Sequence, residues 1–468
     1  MKMRIFYRIF LTLAIPVVLS SCFAAKNYER PDIVDQSGFR TDSLPQDTLS
    51  IANLPWNEVF KDPLLQGYIE EGLANNIDIR IAIQQIAKSE AFFKQGRAGF
   101  YPTLNGNAQY THQELSDNSQ FGAQFSKLDI YQLSGNLSWE ADVWGRIRSQ
   151  KRAFDASYLQ SVAAHQAVKT ELIARIATAY YSLLSLDEQI RITAETVKTR
   201  ENATETTKAL KEAGNVTAVA VKQTEAQVYF AKGLLIDLTR EAKLQENALS
   251  ILLGKEPVDF ERSNLDAQNI DAVMRTGVPI QLLRNRPDVI AAEYSLVNAF
   301  ELTNVARADF YPSLTLNATG GLQSLSFDRL FDSSSLFATL IGGLTQPIFN
   351  GRQIRTRFEV SQAEQEQARL EFRRAILTAT KEVSDAYYTY EAAKEKIEIK
   401  QKEFEAYDIA TDYSEELLEN GLANYLEVLN ARENALNSSL NVIDARFNQL
   451  SSMVELYRAV GGGWKSTL

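Results

Sequence analysis

The phrase RAGFYPTL at residues 97–104 returns 210 positions later as RADFYPSL at residues 307–314. Each copy closes a helical pattern and opens an alternating one, so the chain must pass from helix to strand twice at matching places. Proline disfavours helix at the residue before it and removes a backbone donor, which explains the stop. It does not explain the recurrence, which points to an internal repeat.

The echo extends on both sides. Asn76-Ile77-Asp78-Ile79 aligns with Arg286-Pro287-Asp288-Val289 at the same offset, and each precedes a helical stretch. After the shared phrase, Leu104, Gly106, Ala108 and Tyr110 alternate with Asn105, Asn107, Gln109 and Thr111. In the second copy Leu314, Leu316 and Ala318 alternate with Thr315, Asn317 and Thr319. A period of two predicts a strand with one apolar and one polar face. A second alternating stretch follows each: Leu133, Gly135, Leu137 and Trp139 against Gln132, Ser134, Asn136 and Ser138, then Leu336, Ala338, Leu340, Gly342 and Leu344, where Phe337 and Ile341 blur the rhythm. Two hairpins and four strands are expected, each near the ~9–11 residues that cross a bilayer when tilted.

Beyond each hairpin the period switches to threes and fours, through Val168, Leu172, Ile176, Ala179, Leu183 and Leu186, and again through Ala379, Val383, Ala386, Tyr390 and Ala393. No proline interrupts residues 146–256 or residues 351–468. An unbroken helix over residues 146–213 would be about 100 Å long at ~1.5 Å per residue. Breaks come at Ala213-Gly214-Asn215 and Asn420-Gly421-Leu422, each read as a tight turn into a returning helix.

The expected organisation is a signal segment at residues 1–21, a lipidated extended segment at 22–60, a first helix at 61–100, a hairpin at 101–145 and a long helical hairpin at 146–254. A connector at 255–280 leads to the second copy: helix at 281–310, hairpin at 311–350, helical hairpin at 351–460 and a tail at 461–468. Lys2, Arg4 and Arg8 followed by the apolar residues 9–19 form the signal, too short for a spanning helix. It ends in Leu19-Ser20-Ser21-Cys22, which resembles a lipoprotein cleavage site with Cys22 as the lipidated residue; the competing reading is an incidental thiol.

Charge and composition exclude several functions. The 468-residue chain carries a net charge of -10, and loss of the signal, with three basic residues and no acidic ones, takes it to -13 (46 minus 59). That balance argues against a nucleic-acid partner. Two His and one Cys leave little for metal or thiol chemistry, and His112 and His165 read as packed or solvated residues. No catalytic, cofactor or metal site is expected. Gly461-Gly462-Gly463-Trp464-Lys465-Ser466-Thr467 only imitates a phosphate loop, because Trp464 separates Gly from Lys and no helix can follow.

Four membrane strands cannot close a barrel, and open edges in lipid cost several kcal/mol per unsatisfied group. The strands require other chains. The two FYP(T/S)L phrases, Leu282-Leu283-Arg284-Asn285-Arg286-Pro287-Asp288-Val289, the two turns and the terminal Leu456-Tyr457-Arg458-Ala459-Val460-Gly461-Gly462-Gly463-Trp464 resemble the TolC family, in its lipidated OprM-like or NodT-like subgroup of outer membrane factors. The resemblance spans essentially the whole mature chain. It implies a mixed α and β membrane protein: a homotrimer with a 12-stranded outer-membrane β-barrel, four strands per chain, continuous with a long periplasmic α-helical barrel. It further implies the exit channel of a tripartite pump, with outer-membrane lipid, a periplasmic adaptor and an inner-membrane transporter of the resistance-nodulation-division class as partners.

By the same resemblance, Gly214, Asn215, Val216 and Thr217, with Gly421, Leu422, Ala423 and Asn424, form adaptor-contacting tips, and Glu427 with Asn430 lines the aperture. The family pattern has acidic residues at both aperture positions, and Asn430 departs from it. A solvated helix-face Glu427 is the competing reading. The basic clusters Arg146, Arg148, Lys151, Arg152 and Arg352, Arg355, Arg357 read either as solvated faces or as headgroup anchors. Trp139, Trp144, Tyr101 and Tyr311 read either as an interfacial aromatic girdle or as packing at the joint. A helical adaptor or scaffold lipoprotein without a pore is the alternative function; it leaves the four amphipathic strands unexplained.

Overall fold

The computed structural model describes residues 24–32, 50–116, 118, 127–268 and 281–465. Cys22 lies outside the described residues. The chain divides into two compact units, one of residues 1–32, 86–161 and 291–372, the other of residues 33–85, 162–290 and 373–468.

Helix α1 (Pro63–Asn75) starts where Asp62 accepts from the backbone of Leu64 and Leu65, with proline at the first helical position. Asn76 separates it from α2 (Ile77–Ala98); the Asn76 carboxamide accepts from the Ile79 amide and donates to the Leu252 carbonyl. Strands β1 (Thr103–Glu114) and β2 (Lys127–Ala141) follow. Helix α3 (Arg146–Glu212), 67 residues, and α4 (Ala218–Leu252), 35 residues, complete the first half.

The second half runs through a short helix Leu282–Asn285, then α5 (Pro287–Ala308), β3 (Ser313–Ser324), β4 (Leu336–Thr345), α6 (Gln353–Glu419) and α7 (Tyr425–Ala459). Helices α2 and α5 both have 22 residues, β1 and β3 both 12, α3 and α6 both 67, and α4 and α7 both 35. The FYP phrases stand between α2 and β1 and between α5 and β3.

In the first unit the strands form one antiparallel sheet in the order β1-β2-β3-β4. Its register places Leu104 opposite Leu137, Ala108 opposite Leu133, Leu137 opposite Ala318, Trp139 opposite Leu316, Leu314 opposite Leu344 and Ala318 opposite Leu340. Apolar residues therefore share one face across all four strands, as a side-chain period of two requires. Gly321 lets β3 lie against β2, because a Cβ there would run into the Leu133 carbonyl and the Ser134 backbone.

The second unit is built differently. Tyr180, Tyr181, Phe60, Leu65, Ile69, Ile173, Ile176, Leu183, Leu184, Leu249 and Leu253 are fully buried. Phe60 meets Tyr457 edge-on at 5.9 Å, and Tyr68 meets Phe260 edge-on at 5.3 Å. Burial pushes the Tyr180 hydroxyl up to about 12, with Ser263 hydrogen bonds opposing it, and raises that of Tyr457.

Candidate functional site

The two helix turns are matching structures within the second unit. Gly214 has φ +79°, its N–H donates to the Lys211 carbonyl at 3.0 Å, and the Asn215 N–H donates to the Leu210 carbonyl at 2.9 Å. Gly421 has φ +73°, its N–H donates to the Leu418 carbonyl at 3.0 Å, and the Leu422 N–H donates to the Leu417 carbonyl at 2.8 Å. Left-handed backbone is needed to fold the chain back over the last carbonyls, and glycine adopts it without a Cβ penalty. Six of the eight expected tip residues are exposed, while Val216 and Ala423 are half-buried.

The returning helices are capped alike. Thr217 accepts from the Ala220 amide at 3.4 Å, and Asn424 accepts from the Glu427 amide at 3.1 Å. The Asn424 carboxamide also donates to Glu427 Oε1 at 3.1 Å, a reciprocal cap whose carboxylate sits favourably at a helix N-terminus. Glu427 and Asn430 are both exposed on α7. Asn424-Tyr425-Leu426-Glu427 carries the spacing of such a cap, a signal that the sequence reading passed over.

Two arginines, one in each hairpin, fasten the helices together. Arg200, buried on α3, donates to the Gln227 carbonyl at 3.0 Å and to its side-chain oxygen at 2.6 Å, fastening α3 to α4. Arg432 pairs with Glu415 at 2.7 Å and fastens α7 to α6.

In the first unit, the polar face of the sheet is cross-linked by side chains: Ser138 donates to Asn317 at 2.8 Å and Thr319 to Asn136 at 2.7 Å. The apolar face is bare, with Leu104, Leu336, Leu340 and Leu344 exposed. Strands β1 and β4 each have a single strand neighbour among the described residues.

The residues where helix meets strand are packed together. Trp139 donates to the Phe100 carbonyl at 3.0 Å and Trp144 to the Pro312 carbonyl at 2.8 Å, so each indole N–H is satisfied by an FYP phrase. Trp144 stacks on Tyr311 at 4.8 Å. Most of the basic residues are held by carboxylates: Arg146 by Glu140, Arg148 by Asp142, Lys151 by Asp155, Arg152 by Glu301, Arg352 by Glu359 and Arg357 by Asp309. Arg352 and Arg357 remain largely exposed within these pairs.

Residues 24–32 lie along α5. Asn304 accepts from the Lys26 amide at 3.1 Å and donates to the Lys26 carbonyl at 2.9 Å, and Arg307 donates to the Ala24 carbonyl at 3.4 Å. Arg30 makes a two-pronged bond to Glu293 at 2.6 and 2.7 Å, and Tyr28 meets Phe300 edge-on at 5.6 Å. Burial, helped by Glu293, pushes the Tyr28 hydroxyl up to about 12. The segment that follows Cys22 is thus tied down by backbone-reading side chains.

The second unit joins the two longest motifs of the sequence. Arg286 pairs with Asp288 at 2.6 Å and Glu382 at 2.7 Å and donates to the Ala459 carbonyl at 3.1 Å. Trp464 donates to the Asn285 carbonyl at 2.8 Å, and Gly461 approaches that carbonyl so closely that a Cβ would collide with it. The glycine-rich tail is a clasp on the 285–286 backbone. His165 Nε2 is buried without a hydrogen-bond partner, and burial lowers its pKa, with Lys169 adding to the effect. Among the described residues no helix is long and apolar enough to cross a membrane, and no group of three or more His, Cys, Asp or Glu residues could hold a metal.

A family model described as outer membrane efflux protein matches residues 68–255 and 278–462, which cover most of the described residues and both copies of the FYP phrase. The chain belongs to the outer membrane efflux protein family. The toluene efflux pump outer membrane protein TtgF of Pseudomonas putida is 30% identical over 470 residues, covering 97% of each chain. The probable outer membrane lipoprotein SilC of Salmonella typhimurium is 26% identical, covering 97% of this chain and 98% of its own. The solved open-state MtrE outer membrane channel of Neisseria gonorrhoeae superposes with a TM-score of 0.84 at 25% identity, covering 94% of this chain and 98% of that one. The protein is an outer-membrane efflux component, and its family is one of transport channels. The pore-free adaptor reading has no counterpart among these relatives.

Proposed function

We propose that three copies assemble into a 12-stranded outer-membrane barrel continuous with a periplasmic helical tunnel, each chain contributing both halves of an internal repeat. The observation that carries this reading is the sheet: its apolar face is bare, and β1 and β4 each leave an edge to pair. In lipid such edges must close on other chains, and β4 of one copy against β1 of the next closes a ring.

The assembly serves as the exit duct of a tripartite pump. A periplasmic adaptor meets the turns at Gly214, Asn215, Val216, Thr217, Gly421, Leu422, Ala423 and Asn424, and a transporter of the resistance-nodulation-division class supplies the energy. Glu427 and Asn430 line the periplasmic aperture, where three Glu427 carboxylates favour cations. Acyl chains on Cys22 anchor the N-terminus, and the hold of Asn304 and Arg307 on residues 24–26 supports that anchor close to the α5–β3 junction. The cargo is small molecules, with organic solvents suggested by the name of the toluene efflux protein TtgF.

Native mass spectrometry of the detergent-extracted protein tests the assembly. The expected mass is that of three chains, each carrying a lipid. A lipidated monomer would leave the strand edges open in the membrane and return the adaptor reading to contention.

A further inference from the structure

We infer that the membrane section of this channel carries no charge filter: its water-facing surface is an uncharged belt, of amides and hydroxyls with a few apolar residues, that passes solutes of either sign. The inference rests on the barrel reading above and specifies what the barrel does to its cargo.

The argument starts from the register. Because paired residues share a face, the polar face is fixed by the pairs Asn105 with Asn136, Asn107 with Ser134, Gln109 with Gln132, Ser138 with Asn317 and Asn136 with Thr319. On β4 the same face carries Phe337, Thr339, Ile341, Gly343 and Thr345. Strands β3 and β4 contain no charged residue at all. The charged residues of the strands are Glu114, Lys127, Asp129 and Glu140. Glu114 pairs with Lys127 and His112 with Asp129, and both pairs have the parity of the apolar face, at its far end. Glu140 has the polar parity, but it sits at the helix joint and is held by Arg146 in a two-pronged bond at 2.9 and 2.5 Å.

The belt is also well satisfied within the sheet, through Ser138 to Asn317, Thr319 to Asn136 and Gln132 to Ser134 at 3.1 Å. Amides that donate and accept present no net sign to a passing ion. A ring of side-chain carboxylates or guanidinium groups would instead select by charge. The sheet therefore supplies an uncharged passage, and any preference for cations has to arise outside its strands, as at Glu427, which stands exposed on α7.

The test measures the local potential inside the barrel. Asn107→Cys places a thiol on the polar face and Ala108→Cys places one on the apolar face of the same strand. Reaction rates with a cationic and an anionic methanethiosulfonate are compared in outer-membrane vesicles at low ionic strength, where the Debye length is about 10 Å or more. The unsubstituted chain serves as the blank. The expected result is that Asn107→Cys reacts with both reagents in a ratio within about threefold of that for free cysteine. Adding Asn105→Asp, two residues away on the same face, should then raise the cationic preference severalfold, since a fixed charge concentrates counter-ions. A ratio favouring either sign by about tenfold in the parent variant would overturn the neutral belt. Ala108→Cys reacting as fast as Asn107→Cys would instead show that the sheet has no lipid side, and the barrel reading itself would fall. Asn317→Cys repeats the measurement on an inner strand should the edge position impair assembly.

Discussion

Among the residues of the four strands the only buried one is Ser134, a polar residue on the polar face, whereas eleven large apolar or aromatic residues from Phe60 to Leu253 are fully buried in the helical unit. The helical unit keeps an apolar core within its own chain, even though Ile236, Ile251, Leu377 and Ile399 stand exposed on it. The sheet has no such core. Its leucines face outward, and on the opposite face the Ser138 and Thr319 hydroxyls donate to the side-chain oxygens of Asn317 and Asn136. Sequence periodicity is the same device in both regions, and what differs is the solvent each region is written for. A sheet patterned this way gains little from burial within its own chain, and in the barrel proposed above its stability comes from the membrane and from neighbouring copies.

The comparison breaks most readily at the helical core. Tyr457 is buried, meets Phe60 edge-on and donates to the Leu54 carbonyl at 2.8 Å. Tyr457→Ala is expected to cost ~3–5 kcal/mol, as for other buried aromatic truncations. Leu340→Ala, on the bare face of the sheet, should leave the thermal midpoint of the detergent-extracted protein nearly unchanged. Equal losses from the two would show that the sheet has a conventional core after all.

A charge sharpens the contrast from the other side. Leu340→Arg should cost ~2–4 kcal/mol near the bilayer midplane, and Thr339→Arg, one residue away on the polar face, far less. The heat-modifiable band of assembled protein in outer-membrane fractions reports both. Loss of assembly in the second and not the first would reverse the two faces.

Much of this was legible in the sequence, because periodicity and punctuation are local. Period two placed Leu314, Leu316 and Ala318 together, and Gly214 and Gly421 marked the turns. What escaped depends on distance in the chain. Nothing in Leu282-Leu283-Arg284-Asn285-Arg286 states that Arg286 will meet Glu382 and the Ala459 carbonyl, or that Trp464 will close on Asn285. The basic clusters were ambiguous for the same reason, since Arg152 finds Glu301 and Arg357 finds Asp309 from far along the chain. The Asn424 and Glu427 cap, by contrast, was local and readable.

Asp62 ties the connector to the helical core and makes the stability of that core depend on pH. Its carboxylate accepts from Leu64, from Tyr180 at 2.9 Å, from Gln268 at 2.8 Å and from Ser263. Burial acts to raise its pKa, but the hydrogen bonds from Ser263, Tyr180 and Gln268 together hold it below the usual carboxylate range. A lowered folded-state pKa means stability that is present above the unfolded value and lost as pH falls through the folded one. Asp62→Ala should cost about 2 kcal/mol at neutral pH through the lost cap and orphaned donors. The gap between variant and parent midpoints should begin to shrink below about pH 4 and narrow further as the pH falls through the lowered folded-state value. A gap that persists unchanged at pH 3 would assign the loss to packing alone.

The smallest expected effect lies at the turns, and it separates architecture from partner binding. A Cβ at Gly214 or Gly421 would meet no other atom within 4 Å, so substitution there is opposed only by the positive φ. Gly214→Ala and Gly421→Ala should each cost about 1–2 kcal/mol of local stability, too little to disturb a long helix packed along its length. The yield of the proposed trimer from Gly421→Glu should therefore stay near that of the parent. If the turn meets the adaptor, efflux measured as drug or solvent tolerance should nonetheless collapse, because a bulky charge would stand in the interface. Normal tolerance in Gly421→Glu would remove this turn from the contact surface, and loss of the trimer would show that its backbone conformation matters to assembly beyond the strain of one residue.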